Sequence, residues 1–146
     1  MADHVRKQIR DAVKTALTNL VTTETRVFTN RVRAMKKNDL PGLIIYTVEE
    51  DSEPGAVGGQ LNRTLDLAVE AYVKTSEIID DDLDIIAAEV ETAIAGDPTL
   101  GGLALDTLIS STEYFLEGEG EKKTGIGRMT FQVGYRTAET DPTTAL

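Results

Sequence analysis

At 146 residues, 40% hydrophobic and 27% charged, the chain has the size of one domain with one core, and it has no cysteine for a disulfide framework, a thiolate nucleophile or a thiolate metal site. Its net charge of −10 argues against autonomous nucleic-acid binding, which depends on basic stripes that release counterions. No apolar run approaches the roughly 18 residues of a membrane span and the N-terminus opens with charged residues, so a soluble product made in the cytoplasm, with no membrane partner, is expected.

The chain begins with a helix signal. Asp3 is placed to cap it, and Val5, Ile9, Ala12, Val13, Ala16, Leu17 and Leu20 recur at spacings of three and four, with Arg6, Lys7, Arg10 and Lys14 on the other side. A basic amphipathic helix could lie on a membrane, but the stripe has no Trp or Phe and Asp11 interrupts the polar face; docking on a sheet is the expectation. From Thr22 to Arg33 the residues Thr25, Val27, Phe28 and Val32 favour extended chain, and Arg26, Arg31, Arg33, Lys36 and Lys37 crowd together before Leu40-Pro41-Gly42 breaks the run.

Leu43 to Tyr46 start a strand that runs to about Glu50, and Asp51–Gln60, with Pro54, Gly55, Gly58 and Gly59, reads as a flexible loop. Between Leu65 and Val73 alternation is nearly strict: Leu65, Leu67, Val69, Ala71 and Val73 share one face, with Thr64, Asp66, Glu70 and Lys74 on the other. A second helix follows, with Asp80 or Asp81 as cap, Leu83, Ile86, Ala87, Val90 and Ile94 as buried stripe, and Gly96, Asp97 and Pro98 as stop. Residues Leu103–Glu117 and Gly125–Thr137 read as a hairpin around the polar tip Gly118–Thr124, with Met129, Phe131, Val133 and Tyr135 facing inward. The expected organisation is a single α+β domain over 1–137, a mostly antiparallel sheet of about five strands with two helices on one face, and a flexible tail over 138–146.

No residue pattern carries a reaction. The acids Asp80, Asp81, Asp82 and Asp84 lack the Gly and Glu positions of a calcium-binding loop and suit a helix start better. The glycines around Lys122, Lys123 and Thr124 miss the spacing of a phosphate loop, with an acid before the lysines and a strand after them. His4, the only histidine, has no partner in sequence for zinc or for nucleophilic catalysis, and paired acids such as Glu49 with Glu50 carry little information among twenty-five. No catalytic, cofactor or metal residue is therefore assigned.

The charge is unevenly divided. Residues 1–40 hold nine of the fifteen Lys and Arg but four of the twenty-five Asp and Glu, a balance of +5, whereas the remainder has six bases and twenty-one acids, −15. A protomer with one basic end and one acidic body favours head-to-tail contacts with its own copies, which close into rings or run on as filaments.

Taken together, the helix from Val5, the stretch Arg26–Lys37, Leu40-Pro41-Gly42-Leu43-Ile44-Ile45-Tyr46, the Leu65–Val73 strand, the Asp-rich second helix and the ending Met129-Thr130-Phe131-Gln132-Val133-Gly134-Tyr135-Arg136-Thr137 resemble the tail terminators, or minor tail protein U type, of long-tailed phages. The likeness spans nearly the whole chain and rests on element order rather than a catalytic signature. It implies a virion structural protein at the head-proximal end of the tail, assembled in the host cytoplasm. As a homo-hexameric ring it would cap the tail tube protein, stop polymerisation and offer a surface to the head-tail connector protein, with DNA passing transiently through the lumen. Another virion structural protein, such as a tail tube, neck or tail completion subunit, is the alternative. Within the ring reading, Arg31, Arg33, Lys36 and Lys37 are candidate subunit-interface residues, a role that suits them better than facing DNA. The loops carrying Glu53 and Gln60, and Glu119, Lys122 and Lys123, are candidates for axial contacts.

Overall fold

The structure is a computed structural model that describes residues 2–29, 35–118 and 123–146. Helix α1 spans Val5–Leu17 and α2 spans Ile79–Ala95; the strands are β1 (Val27–Phe28), β2 (Gly42–Pro54), β3 (Gln60–Thr75), β4 (Asp106–Gly118), β5 (Lys123–Ala138) and β6 (Asp141–Ala145). They form a six-stranded sheet in the order β1-β2-β3-β5-β4, with β6 also pairing β5. The β1–β2 pair is parallel and the other pairs are antiparallel, so the sheet is mixed, a correction to the mostly antiparallel expectation, while the count stays close to the five strands expected. The parallel pair arises because the 3-10 helix Lys37–Asp39 and its flanks carry the chain back to the start of β2, where Leu43 N–H donates to the Arg26 carbonyl at 2.9 Å.

The strict alternation of β3 does what period two dictates. Leu65, Leu67, Val69, Ala71 and Val73 are buried on one face, in register with Val133, Phe131, Met129, Gly127 and Gly125 of β5. Val5, Ile9, Val13 and Leu17 of α1 and Leu83, Ile86, Val90 and Ile94 of α2 join the same core, so both helices lie on that face. Gly125 is needed for close approach: a Cβ there would stand 2.2 Å from Ile79 Cγ2, and its absence lets the first turn of α2 sit on β5.

Local details depart from the expected caps. His4, not Asp3, caps α1: its Nδ1 accepts from Arg6 N–H at 3.1 Å, while Asp3 accepts from Lys7 Nζ at 3.2 Å. Burial, then Arg6 and Arg63, push the His4 pKa below its ordinary value, which favours the neutral ring that can accept this bond. In α2 the cap is Ile78, without a side-chain bond; Asp80, Asp81 and Asp82 fall inside the first turn, where they complement the helix dipole.

Two segments expected to be irregular are strands. Residues Asp51–Pro54 belong to β2 and Gln60 opens β3, leaving only 55–59 as the turn. This arm shows no apolar periodicity because Asp51–Pro54 extend past the core and are exposed on both faces, yet its backbone is paired. Where the tail was expected to fray, β6 pairs with β5 through Thr137↔Ala145 and Ala138↔Asp141. Gln8 of α1 donates to the Thr143 carbonyl at 2.9 Å, and Ala145 packs against the core.

Candidate assembly surfaces

Register places the two expected contact loops at opposite poles. Along the β3–β5 pair, Gln60 faces Ala138 at one end and Thr75 faces Lys123 at the other, so the β2–β3 and β4–β5 hairpins leave the sheet from opposite ends. The sixteen residues of β3 separate those poles by roughly 50 Å. Glu53 sits in the ladder opposite Asn62 and Gln60 is the first residue of β3, so both are positioned by strand pairing and not by a loop. Lys123 opens β5 opposite Gly118; Glu119 and Lys122 lie outside the described residues.

Of the four basic interface candidates, Lys36 and Lys37 are exposed beside the start of β2, whereas Arg31 and Arg33 lie outside the described residues. Lys36 is the N-cap of the 3-10 helix and its N–H donates to Asp39 Oδ2 at 3.0 Å. Lys37 lines a groove of about 640 Å³ on the face of the sheet away from the helices, together with Pro41, Tyr72, Lys74, Glu117 and Ile126.

Other bases of the N-terminal quarter are used inside the protomer. Arg6 pairs with Glu50 at 2.6 Å, Arg26 with Glu24 at 2.9 Å, and Lys7 with Asp3 just before its helix and Asp11 on it. Of these, only the Arg6–Glu50 pair draws on an acid outside residues 1–40 and so offsets part of the +5; the other pairs use acids already counted in that balance. Glu50 is the hub of this arrangement: it also accepts from Arg63 Nη1 at 3.2 Å and from the Tyr135 hydroxyl, while Arg63 Nε donates to Thr137 Oγ1 at 3.1 Å. Tyr135 and Thr137 of the closing Tyr-Arg-Thr run are thus buried members of a network that fastens α1 to the sheet, and Arg136 between them is exposed.

The helix-free face has a network of its own. Glu70, buried in the middle of β3, accepts from Arg128 Nε at 3.0 Å and from the Tyr72 hydroxyl at 3.1 Å, and the Arg128 guanidinium lies 4.8 Å from the Phe115 ring centroid. Burial, then the Glu70 charge, raise the Tyr72 hydroxyl to about 12. These contacts tie β3, β5 and β4 together on the uncovered face. Among the described residues no group of three or more His, Cys, Asp or Glu could hold a metal ion, and no helix is long and apolar enough to cross a membrane.

The surface that the sequence reading missed is β4. It is an edge strand on which Leu108 is 63% exposed, Leu116 58%, Tyr114 49%, Phe115 39% and Ile109 38%. Register puts Leu108 and Phe115 on the helix-free face, and Tyr114 and Leu116 on the helix face, so both sides of the edge are apolar. A signal was available: Leu108-Ile109 and Tyr114-Phe115-Leu116 are consecutive apolar residues, which alternation cannot place on one face. Acids surround the strand. Glu113 and Glu117 are exposed on it, and the Tyr114 hydroxyl donates to Asp84 of α2 at 3.1 Å. The α2 sequence contributes Asp80, Asp81, Asp82, Asp84, Glu89 and Glu91 with no Lys or Arg.

No curated protein matches the chain. Among solved structures, a chain from the "Virion of native gene transfer agent (GTA) particle" aligns over 90% of this chain and 92% of its own at 13% identity, with a TM-score of 0.38, a likeness too slight to bear on fold or function. The family profile of phage minor tail protein U matches residues 4–135. The chain belongs to the phage minor tail protein U family and is a structural, non-enzymatic component of a phage virion.

Proposed function

We propose that this minor tail protein is a tail terminator: six copies form a ring at the head-proximal end of the tail, halt growth of the tube and offer the connector a surface. Family membership supports a place in the tail. The observation that carries the finer reading is the placement of two different hairpins at opposite ends of one long strand pair. Termination needs unlike axial faces, one that mates with the last tube ring and one that refuses a further tube subunit while accepting another partner. The Glu53 and Gln60 pole and the Lys123 pole are two different ends of the kind that requirement calls for.

Ring closure needs heterologous contacts around the axis. The exposed Lys36 and Lys37 supply basic side chains for acidic surface on the next copy. Such rim charges set orientation and encounter rate, and affinity comes from buried apolar anchors, because exposed ion pairs contribute only about 0–1 kcal/mol each. DNA crosses a lumen formed by a protein of net charge −10, which favours passage over retention.

Light scattering across a concentration series, with negative-stain images of the largest species, tests the reading. Sixfold rings that stop at one layer and cap isolated tails are the expected result. Long stacked tubes would replace it with a tube subunit, and failure to assemble either alone or on isolated tails would overturn the ring.

A further inference from the structure

We infer that β4 is the edge on which the next copy of this chain docks, with the β1–β2 side of that copy, carrying Lys36, as its occupant. This rests on the ring reading above and names the two surfaces that would close it.

Three features of the edge point to an occupant. First, β4 ends the sheet, and among the described residues no strand pairs its outer side, so a row of backbone N–H and C=O groups is open to a partner. Second, its exposed apolar side chains, Leu108 and Phe115 on one face and Ile109, Tyr114 and Leu116 on the other, together amount to roughly 500 Å². Added to the backbone edge and the acidic rim, this approaches the roughly 800 Å² that each partner gives to a stable interface. Third, the acids select the occupant. A β4-to-β4 pairing would bring Glu113 and Glu117 of one copy against the same acids of another, and the outer half of β2, with Glu49, Asp51 and Glu53, would oppose acid to acid as well. The described exposed lysines beside the start of β2 carry the opposite sign.

Register adds a geometric match. The cross-sheet row Gly42↔Tyr72↔Ile126↔Phe115 shows that the start of β2, just after Lys36 and Lys37, stands at the same height as the Glu113–Glu117 part of β4 on the opposite edge. A cyclic ring repeats its protomers by rotation alone, so surfaces that meet across its interface lie at equal heights along the axis. With strands running along that axis, Lys36 of one copy meets Glu113 of the next, and Leu108, Tyr114, Phe115 and Leu116 form the apolar centre.

The absence of cysteine makes a clean test available. Chains carrying Lys36→Cys or Glu113→Cys are assembled separately and mixed, in solution or on isolated tails, and oxidised. A disulfide-linked dimer in the mixture, and in neither single variant alone, is the expected result. A dimer from Glu113→Cys alone would show β4 pairing with itself and overturn the assignment. Rings that form but give no cross-link in any combination would overturn the edge while leaving the ring intact, and an unsubstituted chain that forms no ring on tails or in solution would overturn both. Independently, Leu116→Ser is expected to raise the concentration for half-assembly about tenfold or more with an unchanged melting temperature, because interface anchors commonly contribute more than the 1.4 kcal/mol that a factor of ten represents. Half-assembly that stays in place would count against the edge.

Discussion

Strands β3 and β4 are both rich in apolar residues, and the sheet treats them in opposite ways. In β3, flanked by β2 and β5, Leu65, Leu67 and Val69 are sealed beneath the helices, and even Ala68 and Glu70 on the reverse face are buried. In β4, Thr107 is the one buried residue among those described, and its large apolar side chains stand in solvent. Sequence pattern tells which side chains share a face; position in the sheet decides whether that face meets a core or an open edge.

The largest effect that sharpens this contrast is a matched truncation. Leu67→Ala should cost about 4 kcal/mol of stability, since it removes buried methyl groups from a packed interior and leaves a cavity. Leu116→Ala should change stability by less than about 0.5 kcal/mol in the dissociated protomer. Denaturant melts of the two variants measure both, and equal losses would break the comparison.

Charged positions should divide in the same way. Arg63 of β3 is held by Glu50 and Thr137 with its side chain 10% exposed, so Arg63→Ala should cost about 3 kcal/mol, at the low end for a broken buried pair because Arg6 still holds Glu50. Glu113→Ala on β4 should be close to neutral for folding of the isolated protomer, as the same melts would show.

The smallest effect is in the alkaline range. Tyr72 on β3 titrates at about 12 in the folded protein and near 10 when unfolded. The folded state therefore keeps a proton that the unfolded state releases, and stability that is complete below about pH 10 declines up to about pH 12. Tyr72→Phe should flatten that decline in melting temperature. Tyr135, raised by burial and its bond to Glu50, keeps part of the slope in the variant. Tyr114 on β4 is raised chiefly by its hydrogen bond to Asp84 and is exposed, so Tyr114→Phe should change the slope less.

Helix α1, helix α2 and the inner face of β3 were legible because each buries one stripe at its own period, and Val5, Ile9 and Val13, Leu83 and Ile86, or Leu65 and Leu67 mark it. The β2–β3 arm was not legible, since residues exposed on both faces need no alternation to pair their backbones. Nor was β6: Asp141–Ala145 has no strand pattern of its own and is held by β5 and by Gln8. Of the four basic interface candidates, Lys36 and Lys37 are exposed and Arg31 and Arg33 lie outside the described residues; nothing in the sequence marked Arg6 and Arg26 as partners of Glu50 and Glu24. Lys7 pairs with Asp3 and Asp11 at spacings of four residues, a distance at which such pairs meet along a helix.

By itself, the sequence determined the two helices, the strands that bury one face, the inner core faces, the lack of cysteine chemistry and the uneven charge, because these follow from residue identity and short-range periodicity. Only the tertiary structure decided that β1 pairs in parallel, that β4 lies at the edge with its apolar side chains uncovered, that the hairpins point to opposite poles, and which charges are consumed within the protomer. Those properties depend on which distant segments become neighbours, and no local pattern encodes a neighbour that the chain reaches only by folding.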